Sequence, residues 1–310
     1  MAYSDYLHTY TGLKNTVKGF ENMMIIEALK ALFLGIIQGI TEWLPISSTG
    51  HLILADQFIK LGSGIVTSEN FNSVFDVVIQ FGSILAVVTL YFKKLNPWHK
   101  GKSEEDRNDT FRLWAKVIAG VIPAGVIGFL LDDYFDKLFT SPKLIVPTIA
   151  ATLIIYGVLF IIMENITKKM NIKRMENIGD MKYSTAFYIG LFQTLALIPG
   201  TSRSGSTILG GVLLGASREL AAEFSFFMAV PVMLGASALK LIKNGAAFSV
   251  DEWILLITGT VVSYIVSIFA IKFLMGYIKK HDFKAFGYYR IVLGVIVIAY
   301  FALTHSVPAV

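Results

Sequence analysis

Ala31-Leu-Phe-Leu-Gly35-Ile-Ile-Gln38-Gly-Ile-Thr41-Glu42-Trp43-Leu-Pro45-Ile-Ser47-Ser48-Thr49-Gly50-His51 starts as a membrane-crossing helix and stops being one halfway, where an acid, a proline and a run of hydroxyls interrupt it. The same design recurs downstream. Ala31-Leu-Phe-Leu-Gly35-Ile-Ile-Gln38 is matched by Ala186-Phe-Tyr-Ile-Gly190-Leu-Phe-Gln193, a spacing of 155 residues from Gly35 to Gly190. With no gap, Ser47 falls on Ser202, Thr49 on Ser204, Gly50 on Gly205 and Leu54 on Leu209. A repeat of half the chain with a broken apolar segment at corresponding positions marks paired membrane repeats whose interface makes a site at mid-membrane depth. Irregular backbone survives there only where protein or a wet cavity satisfies its N–H and C=O groups. The two breaks are therefore expected to face each other.

The rest of the chain agrees with a membrane solvent. Of 310 residues 55% are hydrophobic and 16% charged, with a mean hydropathy of +0.63, beyond the apolar share of soluble domains. Ser73–Phe92, Trp114–Leu131, Leu144–Met163, Ala222–Leu239, Trp253–Phe273 and Phe286–Leu303 each approach the roughly 20 residues that cross a bilayer. The expected fold is an all-α polytopic membrane protein with six full transmembrane helices and two re-entrant helical hairpins in inverted repeats. One integral membrane domain covers 23–310, with repeat 1 at about 25–165 and repeat 2 at about 180–305. Residues 1–22 are a polar N-terminal extension without the apolar core and cleavage site of a signal peptide; they receive no function, and Met23 or Met24 is an alternative start. The absence of cysteine excludes disulfides and thiol chemistry.

A net charge of +5 would suggest nucleic acid in a soluble protein, but position overrides the total and no nucleic acid partner is expected. Lys93, Lys94, Lys100, Lys102, Arg107, Arg112 and Lys116 fill one connection, and Lys168, Lys169, Lys173, Arg174 and Lys182 another. Both are expected inside. The acidic, aromatic Asp132-Asp133-Tyr134-Phe135-Asp136 between them is expected as an outer connection. Lys272, Lys279, Lys280 and Lys284 continue the alternation, which puts the C-terminus outside, with Lys240 and Lys243 in mild dissent.

Chemistry concentrates in the breaks. Gln38 and Glu42 are four residues apart and share a helix face, and an ionisable residue at membrane depth marks function. His51 follows Ser48 by three residues, so it is a candidate base for a hydroxyl nucleophile. Ser47 and Thr49 either cap the following helix or touch substrate. In the second break, Pro199-Gly200-Thr201-Ser202-Arg203-Ser204-Gly205-Ser206-Thr207 has the makings of an anion cradle, with N–H groups at a helix start and a guanidinium that forks onto phosphate oxygens. Glu42 is the expected ion-pair partner of Arg203. Gln80, Glu223, Ser225 and Pro231 are weaker candidates for lining the cavity. An acid, a histidine and serines opposite such a cradle suit hydrolysis of a phosphorylated lipid or its transport. Transport alone gives no reason to place Ser48 beside His51.

At Gln38–His51 and Pro199–Thr207, supported by Gln80-Phe-Gly82 and Glu223-Phe-Ser225-Phe, the sequence resembles the undecaprenyl-diphosphatase family, also called bacitracin resistance proteins. The resemblance runs from about Ile25 to the C-terminus. It implies removal of the terminal phosphate of undecaprenyl pyrophosphate in the bacterial cell membrane, with the site toward the outer side, recycling the lipid carrier of peptidoglycan synthesis and conferring bacitracin resistance. It implies Glu42 as metal-associated or acid/base carboxylate, Ser48 as the proposed nucleophile with His51 as the alternative one, His51 as acid/base and Arg203 as phosphate ligand. Gln38, Ser47, Thr49, Gly200, Thr201, Ser202, Ser204 and Gly205 are the implied substrate contacts. The implied cofactor is a divalent cation, Mg2+ or Ca2+, at Glu42. Gln38 departs from the glutamate that some members carry there, which removes one carboxylate from the metal site. A homodimer is compatible with the family.

Overall fold

The structure, a computed structural model, describes residues 2–63, 67–68, 71–139, 141–170, 173–244 and 248–304. Its helices are α1 (Ala2–Thr41), α2 (Ser48–Phe58), α3 (Phe71–Leu90), α4 (Phe92–Leu95), α5 (Glu104–Phe139), α6 (Pro142–Lys169), α7 (Tyr183–Thr194), α8 (Arg203–Leu213), α9 (Arg218–Asn244), α10 (Val250–Ile278) and α11 (Lys284–Thr304). The six predicted spans fall on α3, α5, α6, α9, α10 and α11. A seventh helical stretch, Glu21–Thr41, is also long and apolar enough to cross. Its hydrogen bonds identify it as the first arm of the first hairpin: the Gly62 N–H donates to Glu27 Oε2 at 2.6 Å and Lys30 Nζ donates to Lys60 O at 2.9 Å. The start of this arm is thus level with the loop where α2 emerges, so the chain enters and leaves on one face. α1 runs continuously from Ala2 through residue 22 into this arm.

Two expectations are corrected. The supposed connection at residues 132–136 is the last part of α5, which ends at Phe139. Tyr134 there is exposed. The connection rich in Lys and Arg also contains helix, α4 and the first turns of α5, whose Glu104, Glu105 and Asp106 complement the N-terminal dipole.

Three long helices, α3, α5 and α6, separate the hairpins α1–α2 and α7–α8. An odd number of crossings brings the second hairpin in from the opposite face, so the repeats are inverted. The packing is reciprocal in the same sense: α1 lies on α10 and α7 on α5, α2 touches α11 and α8 touches α6, while α3 meets α9 and α6 meets α11. Small residues permit these crossings, as is usual where lipid removes the hydrophobic drive for helix association. A Cβ on Gly157 would sit 2.6 Å from Gly287 O, and one on Gly287 would sit 2.7 Å from Gly157 O. This mutual contact marks the approximate two-fold axis between the repeats.

Candidate active site

Both breaks end in the same local structure. Pro45 and Pro199 lack the N–H a helix would need, and each chain reversal is closed by a serine at the following N-cap. Ser47 Oγ accepts from the Gly50 N–H at 3.3 Å, and Ser202 Oγ accepts from the Gly205 N–H at 3.1 Å. Ser47 and Ser202 share a φ of 74°, and they are the non-glycine residues of positive φ among the described residues. Such backbone is sparsely populated for a side chain with Cβ. Its recurrence at both breaks shows that the repeat extends to conformation.

The breaks meet through an ion pair. Arg203 NH2 donates to Glu42 Oε1 at 3.0 Å, while Gln38 Nε2 donates to Glu42 Oε2 at 3.0 Å. Arg203 NH1 donates to Ser225 O at 2.8 Å, and the guanidinium lies 5.6 Å from the Trp43 ring centroid. Glu42 is 8% and Arg203 12% exposed, so the pair sits where attraction is weakly screened. Thr207 Oγ1 donates to Ser225 Oγ at 2.7 Å, which holds Ser225 against the guanidinium. Ser204 Oγ lies within reach of Glu42 O at 3.1 Å and Leu44 O at 3.3 Å, tying the second break to the first.

Arg290 completes this assembly and was not among the sequence candidates. It is fully buried. NH1 donates to Pro45 O at 3.2 Å, and NH2 donates to Gly200 O and Thr201 O at 2.9 Å each. One guanidinium therefore serves carbonyls of both breaks, the accounting that irregular backbone at this depth demands. An arginine within an apolar span was the available signal.

His51 is engaged on both sides. Nδ1 lies 2.7 Å from Ser47 O and Nε2 lies 2.6 Å from Tyr289 Oη. A carbonyl only accepts, so Nδ1 carries the proton, and in the neutral ring Nε2 accepts from the tyrosine hydroxyl. The other repeat mirrors the contact. Ser206, the counterpart of His51 at the same 155-residue spacing, donates to Tyr156 Oη on α6 at 3.1 Å.

A cavity of about 790 Å³ opens beside the ion pair, within the size range of ligand sites. Glu42, Ser48, Thr49, Gly200, Ser202 and Arg203 line its polar end together with Gln80 and Gln193. Val121, Phe129 and Leu130 of α5 and Val232, Met233 and Leu239 of α9 line its apolar end. Phe129 is 25 residues along α5 from Glu104, about 37 Å at 1.5 Å per residue. The apolar end thus lies far from the basic connection that precedes α5. Of the remaining predicted residues, Gln38, Ser47, His51, Thr201, Ser204 and Gly205 stand behind this lining. The Gly205 N–H is already taken by Ser202 Oγ, so that part of the expected anion cradle is a helix cap instead. Glu223 pairs with Lys94 at 2.8 Å, away from the lining, whereas Pro231 is part of it.

No cluster of three or more acidic, histidine or cysteine residues suited to a metal occurs among the described residues. Glu42 uses both oxygens on protein donors, whereas Gln38 Oε1 is buried without a partner. A hard cation would fit here only as a shared guest, with oxygens from Glu42 and Gln38 and the rest from a phosphate ligand and water.

Known proteins are similar to this chain along most of its length. A protein from Clostridioides difficile named undecaprenyl-diphosphatase 1 is 56% identical over 283 residues, covering 91% of this chain and 99% of its own. An undecaprenyl-diphosphatase from Acetivibrio thermocellus is 56% identical over 277 residues, 89% of this chain and 98% of its own. One from Enterococcus faecalis is 53% identical over 281 residues, 90% of this chain and 99% of its own. The family described as bacitracin resistance protein BacA matches residues 31–296, which take in both breaks and the spans of α3, α5, α6, α9 and α10, so this chain belongs to the BacA family of bacitracin resistance proteins.

Proposed function

We propose that this multi-pass membrane protein hydrolyses undecaprenyl pyrophosphate to undecaprenyl phosphate and inorganic phosphate. The observation that carries the reading is the half-and-half cavity: a buried Glu42–Arg203 pair with Ser48 at one end, and an apolar trough between α5 and α9 at the other. A diphosphate on a prenyl chain has the same two halves.

Arg203 exchanges part of its bonding to Glu42 for the diphosphate, where a bidentate guanidinium stabilises charge on the phosphoryl oxygens. Ser48 is the first residue of α2, so its hydroxyl lies at a helix N-terminus that favours an anion. Ser48 Oγ attacks the terminal phosphorus and Glu42 takes its proton. The bond from that phosphorus to the bridging oxygen breaks, and the electron pair leaves on the lipid phosphate. Water then attacks the phosphoserine, the bond from phosphorus to Ser48 Oγ breaks, and that oxygen takes back the proton held on Glu42 as inorganic phosphate leaves. With both ring nitrogens engaged, His51 acts as a positioning residue: it holds Ser47 O, and with it the turn that presents Ser48. Glu42 and Gln38 would hold a divalent cation, Mg2+ or Ca2+, which would supply further charge neutralisation.

Basic connections lie inside in membrane proteins. The cavity faces away from them, so the site opens to the outer side of the bacterial cell membrane, where peptidoglycan synthesis sheds the pyrophosphate form of its carrier. Bacitracin resistance follows, because hydrolysis removes the lipid that the antibiotic sequesters. Phosphate release by the purified protein in detergent, with and without EDTA, tests the reading. Arg203→Ala is expected to lower kcat by about 10²–10³-fold, and Ser48→Ala to abolish release while lipid binding persists. Lipid binding without phosphate release by the well-folded wild type would favour a carrier instead.

A further inference from the structure

The repeat leaves one polar group without its counterpart's partner. Gln38 on α1 donates to Glu42, four residues on. Its mate Gln193 on α7 has Leu197 four residues on, so no carboxylate receives its amide. Gln193 is 2% exposed, and neither Nε2 nor Oε1 has a hydrogen-bond partner. A buried side-chain amide with both ends unpaired is costly and calls for an explanation.

Its position suggests one. Gln193 lines the same cavity as Glu42, Ser48 and Arg203, two residues before the 3-10 turn Leu195–Leu197 that leads into the second break. Its amide atoms are covered in this conformation, so contact with a ligand takes a rotation of the side chain, and no hydrogen bond opposes that rotation. Packing accounts for an apolar residue at this position and gives no role to an amide. Gly190, one turn earlier on α7, already makes the close crossing with Gly120 of α5.

We propose that Gln193 is a substrate-binding residue: its Nε2 donates to a phosphate oxygen of the lipid diphosphate. The inference rests on the phosphatase reading and adds a polar contact from the second repeat. The inverted repeats would then each supply one glutamine, Gln38 holding the carboxylate and Gln193 holding the substrate.

Gln193→Leu, of similar shape without the amide, separates this role from a structural one. The measurements are phosphate release against undecaprenyl pyrophosphate concentration and melting temperature in detergent without lipid. KM is expected to rise about tenfold, the equivalent of one lost hydrogen bond to a charged group. The melting temperature is expected to stay level or rise, because an unpaired buried amide has been removed. Gln193→Asn, with a shorter amide, is expected to give a KM between the two. An unchanged KM would overturn the proposal, and so would a lowered melting temperature with unchanged KM, which would mark the amide as structural. Absence of release by the wild type would instead count against the phosphatase reading, since only the ratio of variant to wild type bears on Gln193.

Discussion

Gly200→Ala tests whether the geometry of the second break is as tightly determined as its contacts indicate. Gly200 has φ +84°, and a Cβ there would meet Ile149 Cα at 2.7 Å and Ile149 O at 2.9 Å, with Thr152 Oγ1 closer still. The first two atoms belong to the backbone of α6 and cannot swing aside. Left-handed backbone costs an L-residue about 1–2 kcal/mol, and forcing a methyl into a filled space costs about 1–3 kcal/mol. Reduced freedom of the unfolded chain returns about 0.4–1 kcal/mol. The net destabilisation is then about 1–4 kcal/mol, a fall in melting temperature of roughly 2–8 °C for a chain of this size. Phosphate release should fall further than stability, because Gly200 O is held by Arg290 and its neighbours present Arg203. Gly276→Ala is the control: nothing lies within 4 Å of its Cβ position, and alanine favours a helix by about 1 kcal/mol over glycine, so no loss is expected. Thr152→Ala combined with Gly200→Ala should recover only part of the loss, since the Ile149 backbone remains. A Gly200→Ala protein with wild-type melting temperature and wild-type release would refute the reasoning.

Three further outcomes are expected. Tyr289→Phe removes the hydroxyl bound to His51 Nε2; if His51 positions Ser48, kcat falls a few-fold, by about 1 kcal/mol, with the pH profile of kcat in place, whereas a general acid or base at His51 would move one limb of it. Arg290→Lys keeps a charge but loses the fork that reaches Pro45 O, Gly200 O and Thr201 O; release should drop at least about tenfold, and equal kcat in the two proteins would count against the clamp. Glu164→Gln weakens the pair with Arg218, which donates at 2.9 and 2.6 Å, and the bond from the Phe283 N–H at 3.0 Å. Arg218 is 38% exposed, so the loss is nearer about 1–2 kcal/mol than that of a fully buried pair, and it should appear in melting temperature with KM unchanged.

By itself the sequence determined the membrane class, the six spans, the 155-residue repeat and the pairing of Glu42 with Arg203. These are written in local patterns: apolar length against bilayer thickness, proline and hydroxyls in mid-segment, and the cost of any charge placed at depth. An acid in one break and an arginine in its mirror image have few partners other than each other. Tertiary structure decided what those residues do with their remaining atoms. Arg290 lies 245 residues from Pro45 and Tyr289 lies 238 residues from His51, and neither meeting follows from spacing, because both depend on where α11 crosses α2 and α6. The same holds for Ser225 against Arg203, for the Gly205 N–H spent on Ser202, and for the amide of Gln193, whose lack of a partner is visible only once its neighbours are in place. Patterns along the chain record which groups must be satisfied at membrane depth; the helix crossings choose which atoms satisfy them.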